Sequence, residues 1–289
     1  MPTTTTTRSL LRALPFLLVA AVGPASAAPP APLGPGGAPL LAEGIAAFNA
    51  AAEFPLPRLS AADSAKLLSG EVVRLFDQPG GDPEGPRRAS GLLIVNQPRD
   101  VVWVAVMDPH YVQSEQATEV RVAFEPPDRS RWYGIIDLPR PFADRHWIVD
   151  VRNNHALAKS TGNRAWEHPW RLRAEGPAEL PALFGEGKLR GIPGEALQEA
   201  IYTPVNHGAW LVVALDKDHT LLGYHATSVV GGAIPESLIA RFVHASLGDM
   251  LTGAAARAAG PVRGHYTASH KQVIGGDGSA VRHFGDASP

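Results

Sequence analysis

The chain has 289 residues, 45% of them hydrophobic and 19% charged, with Lys+Arg 26 against Asp+Glu 28 and a formal net charge of -2. That suffices for one large or two small domains with a full core, and the weakly acidic balance, without a basic stripe, speaks against nucleic acid as a partner. Cys 0 excludes disulfides, thiolate metal sites, cysteine nucleophiles and a cysteine-linked lipid anchor.

At the N-terminus Arg8 and Arg12 precede an apolar run over 13–22, then Gly23-Pro24 and the small residues Ala25-Ser26-Ala27-Ala28. This is the layout of a cleavable secretory signal peptide over 1–28, and the run is shorter than the roughly 20 residues a membrane span needs. The alternatives are an uncleaved anchor or an unstructured N-terminus. Export to the periplasm or the medium is the expectation. Residues 29–58 read as a flexible tether rich in Pro, Gly and Ala, holding a short helix over 38–52 with Leu41, Ile45 and Phe48 at helical spacing. Ser60, with Asp63 three residues on, has the pattern of an N-cap for a helix reaching about residue 68, where Gly70 ends it.

The period then becomes strand-like. Residues 71–76 and 91–96 are rich in Val, Leu and Ile, separated by a Pro- and Gly-containing loop. Pro98 opens a helix over 98–107 whose one face carries Val101, Val102, Ala105 and Val106. Strands are predicted over 118–125, 131–138, 145–152, more weakly 166–173, then 200–205, 209–215 and 220–228, the last two joined by Asp216-Lys217-Asp218-His219. The strongest helix follows over 235–259, with Leu238, Ile239, Phe242, Val243, Ser246, Leu247, Met250 and Leu251 in one apolar stripe. Residues 261–289 are polar and Gly-rich without a period, and a disordered tail is expected. The order of elements lacks regular βαβ alternation. It predicts an α+β fold in which a mostly antiparallel sheet curls around the long helix and leaves a cavity between them.

Several of these segments resemble START (steroidogenic acute regulatory-related lipid transfer) domains, of the wider Bet v 1-like and polyketide cyclase superfamily. They are Asp137-Leu138-Pro139-Arg140-Pro141-Phe142-Ala143-Asp144-Arg145, Gly208-Ala209-Trp210, Gly231-Gly232-Ala233-Ile234-Pro235-Glu236-Ser237-Leu238, and residues 103–108. The resemblance covers about residues 59–260, with His146 where the family usually has an acidic residue. It implies a helix-grip fold holding one lipid or similar hydrophobic molecule, without chemistry or cofactor, in a monomer that touches membranes transiently. Arg145, Trp147, Tyr224, Leu238, Phe242, Leu247 and Met250 are the expected ligand-binding residues.

Inside an apolar tunnel the Arg145 guanidinium needs a carboxylate partner, for which Asp137 and Asp150 are the candidates; the alternative is that it ends a strand and lies in solvent, or holds the loop at Asp144. Eleven histidines raise the question of a metal. No His-Glu-x-x-His helix or recurring spacing supports one: His219 and His225 share a strand face, and His265, His270 and His283 fall in the tail. No Gly-x-Ser-x-Gly elbow or phosphate loop is present. Two rival readings remain. One is an aromatase/cyclase-like enzyme using Tyr133, His146, His207 and Tyr224. The other is an interaction module whose cavity is filled by Trp103, Trp132, Trp147 and Trp210.

Overall fold

The computed structural model describes residues 33, 36–79, 85–108, 117–138, 141–232, 234 and 236–284, with the side chains of 117 and 236–245 outside the description. The expected leader and the first part of the tether therefore lie outside the described residues.

Helix α1 (Gly37–Asn49) buries Leu41 and Phe48, and α2 (Ala61–Leu68) buries Leu67. The Ser60 cap is as predicted: its Oγ accepts from the Asp63 N–H at 3.1 Å, and the Asp63 carboxylate accepts from the Ser60 N–H at 3.1 Å. Strands β1 (Val73–Asp77) and β2 (Arg88–Val95) precede α3 (Arg99–Met107), for which Pro98 is the N-cap. Then come β3 (Ala117–Glu125), β4 (Arg129–Ile136), β5 (Arg145–Val151), α4 (His155–Ser160) and β6 (Ala165–Leu172). Helices α5 (Gly176–Gly185) and α6 (Gly194–Glu199) lead to β7 (Ile201–Tyr202), β8 (Val205–Ala214) and β9 (Thr220–Val229). The chain continues through α7 (Glu236–Ala259) and α8 (Pro261–His265).

The strands form one curved sheet in the order β1-β2-β9-β8-β6-β5-β4-β3, antiparallel throughout, with β7 pairing parallel to β5. Alternation along the strands sends one set of side chains to each face. On the convex face α1 and α2 pack over Leu92, Ile94, Leu211, Val213 and Leu221, while Leu183 and Leu189 cover Tyr133, Ile135 and Ile148. On the concave face α7 and α3 pack over Leu93, Val95, Val212 and Leu222, with Leu251, Ala254 and Ala258 fully buried along α7. At 1.5 Å per residue α7 is about 36 Å long, and it packs on β1, β2 and β9. This is the expected α+β helix-grip arrangement.

Four sequence expectations are corrected. The predicted strand over 200–205 is reduced to two residues, and α4, α5 and α6 fill a stretch in which no helix was predicted. These helices have 6, 10 and 6 residues, and Pro181 lies inside α5, so none carries a stripe long enough to show a period. The tether is packed from Gly37 onward: Leu56 is buried, and the backbone N–H groups of Glu53 and Phe54 donate to the Glu167 carboxylate at 2.8 and 3.0 Å. The tail is packed as far as Phe284. Val262, Tyr266, Val273 and Val281 are buried against α3 and α7, the Trp103 indole N–H donates to the Ile274 carbonyl at 2.9 Å, and Tyr266 accepts from the Val273 N–H at 2.7 Å. Its apolar residues dock one at a time into a groove that other elements provide, which leaves no periodic signal. Among the described residues no helix is long and apolar enough to cross a membrane.

Candidate functional site

Cross-strand pairing fixes which residues face α7. A side chain at Gly91 would meet Leu251 and Leu247, so the concave set runs through the partners Gly91↔Tyr224↔Trp210↔His168. The neighbouring rows are Gly208↔Trp170↔Val151, and Glu119↔Gly134↔Trp147. Trp132 shares a face with Val149 and Leu172, and Trp103 from α3 meets Trp166 edge to face at 5.3 Å between ring centroids. All six tryptophans of the chain therefore lie on the helix side of the sheet.

They divide into two groups. Trp103 and Trp166 are buried in the core between α3 and the tail. Trp132, Trp147, Trp170 and Trp210, with Tyr224, remain partly accessible. These five side chains line the hollow of the curved sheet, meaning its concave face, and Trp210 and Tyr224 also pack against the core formed with α3 and α7. Tyr224 anchors the group, with Trp210 at 4.7 Å and Trp170 at 5.3 Å between ring centroids. The Trp170 indole donates to the Asn206 amide oxygen at 2.9 Å, and the Trp132 indole to the Ser130 hydroxyl at 2.8 Å. These bonds leave the ring faces free for apolar contact.

Two of these rings lie over glycines. A Cβ at Gly134 would stand 2.4 Å from the Trp147 ring, and one at Gly208 would stand 2.6 Å from the Trp170 ring. In each pair the tryptophan is the direct cross-strand partner of its glycine, so the ring can fold down onto the sheet instead of standing in the hollow. The sequence signal was an isolated glycine in a strand, which marks close approach.

The polar groups here are few. Glu119 stands beyond Gly134 from Trp147 on strand β3 and is exposed, with its carboxyl held above the ordinary range by desolvation from the atoms around it. Burial, and then the Glu119 charge, push the Tyr224 phenol up as well. His168 is pushed down to about 4 by burial, with Asp128 opposing, and its Nδ1 meets the Asn153 amide oxygen at 2.6 Å. Periodicity passed over Glu119 and His168, because one acid or imidazole on a strand looks like a solvent-facing residue.

Arg145 is buried, and among the described residues no carboxylate forms an ion pair with it. Its guanidinium donates to the carbonyls of Val230 at 2.5 Å, Gly231 at 2.8 Å and Asp144 at 3.3 Å, and to that of Ala143. Asp150 pairs instead with Arg131 and Arg173 on the convex side, and Asp137 is exposed. Arg145 thus holds both the loop before its own strand and the turn that leads to α7. In that turn Gly231 and Gly232 both have φ of +69°, where a side chain is strained.

Trp147 on β5 and Tyr224 on β9 share the concave face but stand three strands apart. Leu247 is buried against Gly91, Met250 is half-buried, and the side chains of Leu238 and Phe242 lie outside the described residues. Of the four residues of the enzymatic reading, only Tyr224 faces the hollow. Tyr133 and His146 meet on the convex side, hydroxyl to Nδ1 at 3.4 Å, and His207 stacks on Phe54 at 5.4 Å. His219 pairs with Asp216 in the hairpin at 2.9 Å, whereas His225 is buried in the sheet.

Three solved structures give the scale of the likeness to known folds. Human StAR-related lipid transfer protein 5 aligns at 13% identity over 76% of this chain and 96% of its own, with a TM-score of 0.47. A STAR-related lipid transfer protein fragment from Xanthomonas axonopodis aligns at 16% identity over 65% and 93%, with a TM-score of 0.45. The Zhui aromatase/cyclase from Streptomyces sp. R1128 aligns at 13% identity over 60% and 93%, with a TM-score of 0.35. The likeness is to START domains. At these identities it is one of fold and assigns no ligand. No protein-family model and no curated protein sequence matches the chain.

Proposed function

We propose that the protein binds one hydrophobic molecule, a lipid or one of similar size, between the concave sheet face and α7, and carries it without chemical change. The observation that carries this reading is the group of partly accessible aromatic rings, Trp132, Trp147, Trp170, Trp210 and Tyr224, on the concave face to one end of which α7 is packed. A ligand losing about 400 Å² of apolar surface to water there gains about 10 kcal/mol before ordering costs are set against it. Glu119 marks where a polar end of the ligand sits. Release takes place by movement of α7 about the Gly231-Gly232 turn, during transient contact with a membrane. The protein works as an exported monomer, a reading supported by the leader pattern over 1–28.

The position of Tyr133, His146 and His207 on the opposite face speaks for carriage over cyclase chemistry. Native mass spectrometry of the chain purified from its own compartment, with organic extraction of any added mass, tests the reading. One bound lipid-like molecule per chain is the expected result. A bare mass that persists after incubation with vesicles of the host lipids overturns it.

A further inference from the structure

Asp108, His265 and His270 come together although 157 residues separate Asp108 from His265, and each points one donor atom at a common space. The three donor atoms lie within 4.8 Å of one another. We infer that they form a binding site for a divalent transition-metal ion, zinc being the best fit, which ties the C-terminal segment to the end of α3.

The site is built from three places. Asp108 is the C-cap of α3, and its side chain is 1% exposed. His265 ends α8. His270 follows a tight turn in which the Thr267 N–H donates to the His265 carbonyl at 2.9 Å and the His270 N–H to the Thr267 carbonyl at 2.8 Å. That turn brings the two imidazoles to 4.4 Å between centroids at 63°. His270 Nε2 already stands 2.8 Å from an Asp108 carboxylate oxygen, and its backbone carbonyl accepts from His283 Nε2 at 2.8 Å. The turn, the helix end and the His283 bond fix the positions of the donors in advance.

Two neutral imidazoles and one carboxylate are a donor set that zinc and its neighbours in the first transition row accept. Metal–donor bonds of about 2.1 Å at tetrahedral angles put donors about 3.4 Å apart. The His270–Asp108 pair, at 2.8 Å, must therefore open by roughly half an ångström, and no pair has to close by more than about 1.4 Å, which side-chain rotation can supply. Three protein donors leave a coordination position, and the partial exposure of His265 and His270 lets water take it. The positive ion also offsets the cost of holding the Asp108 carboxylate out of water.

The test uses the untagged full chain, stripped with EDTA, desalted and titrated with CoCl2, then with ZnCl2 in competition. One equivalent of cobalt is expected, with the visible d–d absorption of a low-coordinate site, displaced by one equivalent of zinc, and zinc should raise Tm. His265→Ala and Asp108→Asn should each weaken binding by about a hundredfold, while His219→Ala, in a separate His–Asp pair, should bind as the parent does. Near-UV circular dichroism establishes that each variant is folded. Should either site variant unfold, His270→Gln replaces it in the series. Absence of stoichiometric metal on the parent chain overturns the proposal. So does binding that survives folded His265, Asp108 and His270 variants, and binding without a rise in Tm overturns the tie.

Discussion

Trp147 lies flat because the residue opposite it on β4 has no side chain, and this pairing sets how much room the hollow has. In Gly134→Val the new methyl groups displace the ring from the sheet and into the ligand's space. We expect a loss of about 1–3 kcal/mol in urea denaturation, as for other overpacked sites, and a fall in ligand carried per chain by native mass spectrometry. Adding Trp147→Ala to Gly134→Val should restore most of the capacity. His225 makes a different kind of prediction. It is fully buried, its ring nitrogens have no hydrogen-bond partner among the described residues, and burial with the nearby Arg88 pushes it down to about 3. A base depressed in the folded state is protonated first in the unfolded one. It therefore costs stability as pH falls from its ordinary 6.5 toward about 3, and adds no further loss below that. His225→Leu should flatten the decline of Tm over that window; a slope equal to the parent's would assign acid sensitivity to other groups.

Among the elements, the turn before α7 depends on one side chain from another strand. Arg145→Ala leaves the carbonyls of Val230 and Gly231 without their buried donor, at about 1–3 kcal/mol for each unsatisfied group. The expected results are a lower urea midpoint and faster ligand release in stopped-flow measurements, since the α7 hinge loses its brace. The C-terminal segment is equally structural. Truncation after Gly260 removes Val262, Tyr266, Val273 and Val281 from the core and uncovers the Trp103 indole. At roughly 1.5–3 kcal/mol per buried apolar side chain the loss rivals the stability of a whole domain, so the truncated chain should lack a cooperative thermal transition. The long helix, α3 and most strands were legible because their apolar residues repeat with a period. The short helices between β5 and β8 and the packed tail were not. Pro181 interrupts one of those helices, and in the tail Tyr266, Val273 and Val281 serve a surface that only the folded molecule creates.

At the scale of the molecule, the alternation that produced the strands also put the strand tryptophans on the same face of the sheet as α7. What the sequence could not tell was which side each candidate would take. Arg145 was found by its place in a motif, but its partners are carbonyls of the turn at Val230 and Gly231, which no spacing specifies. Tyr133, His146 and His207 have the same parity relative to their strands as convex core residues, and only the register of the assembled sheet reveals it. Both ends of the chain close this sheet at adjacent positions on β6. Glu167 takes the N–H groups of Glu53 and Phe54 on the convex face, and Trp166 lies under Gly275 and Gly276 on the concave one. The Glu53–Glu167 bond spans 114 positions and the bond from Trp103 to Ile274 spans 171. Closing such long loops is slow, because their entropy is spent before their contacts form. The core beside α3 is therefore incomplete until the segment from Val262 to Val281 has joined it, and that segment is the part of the fold that closes the longest loop.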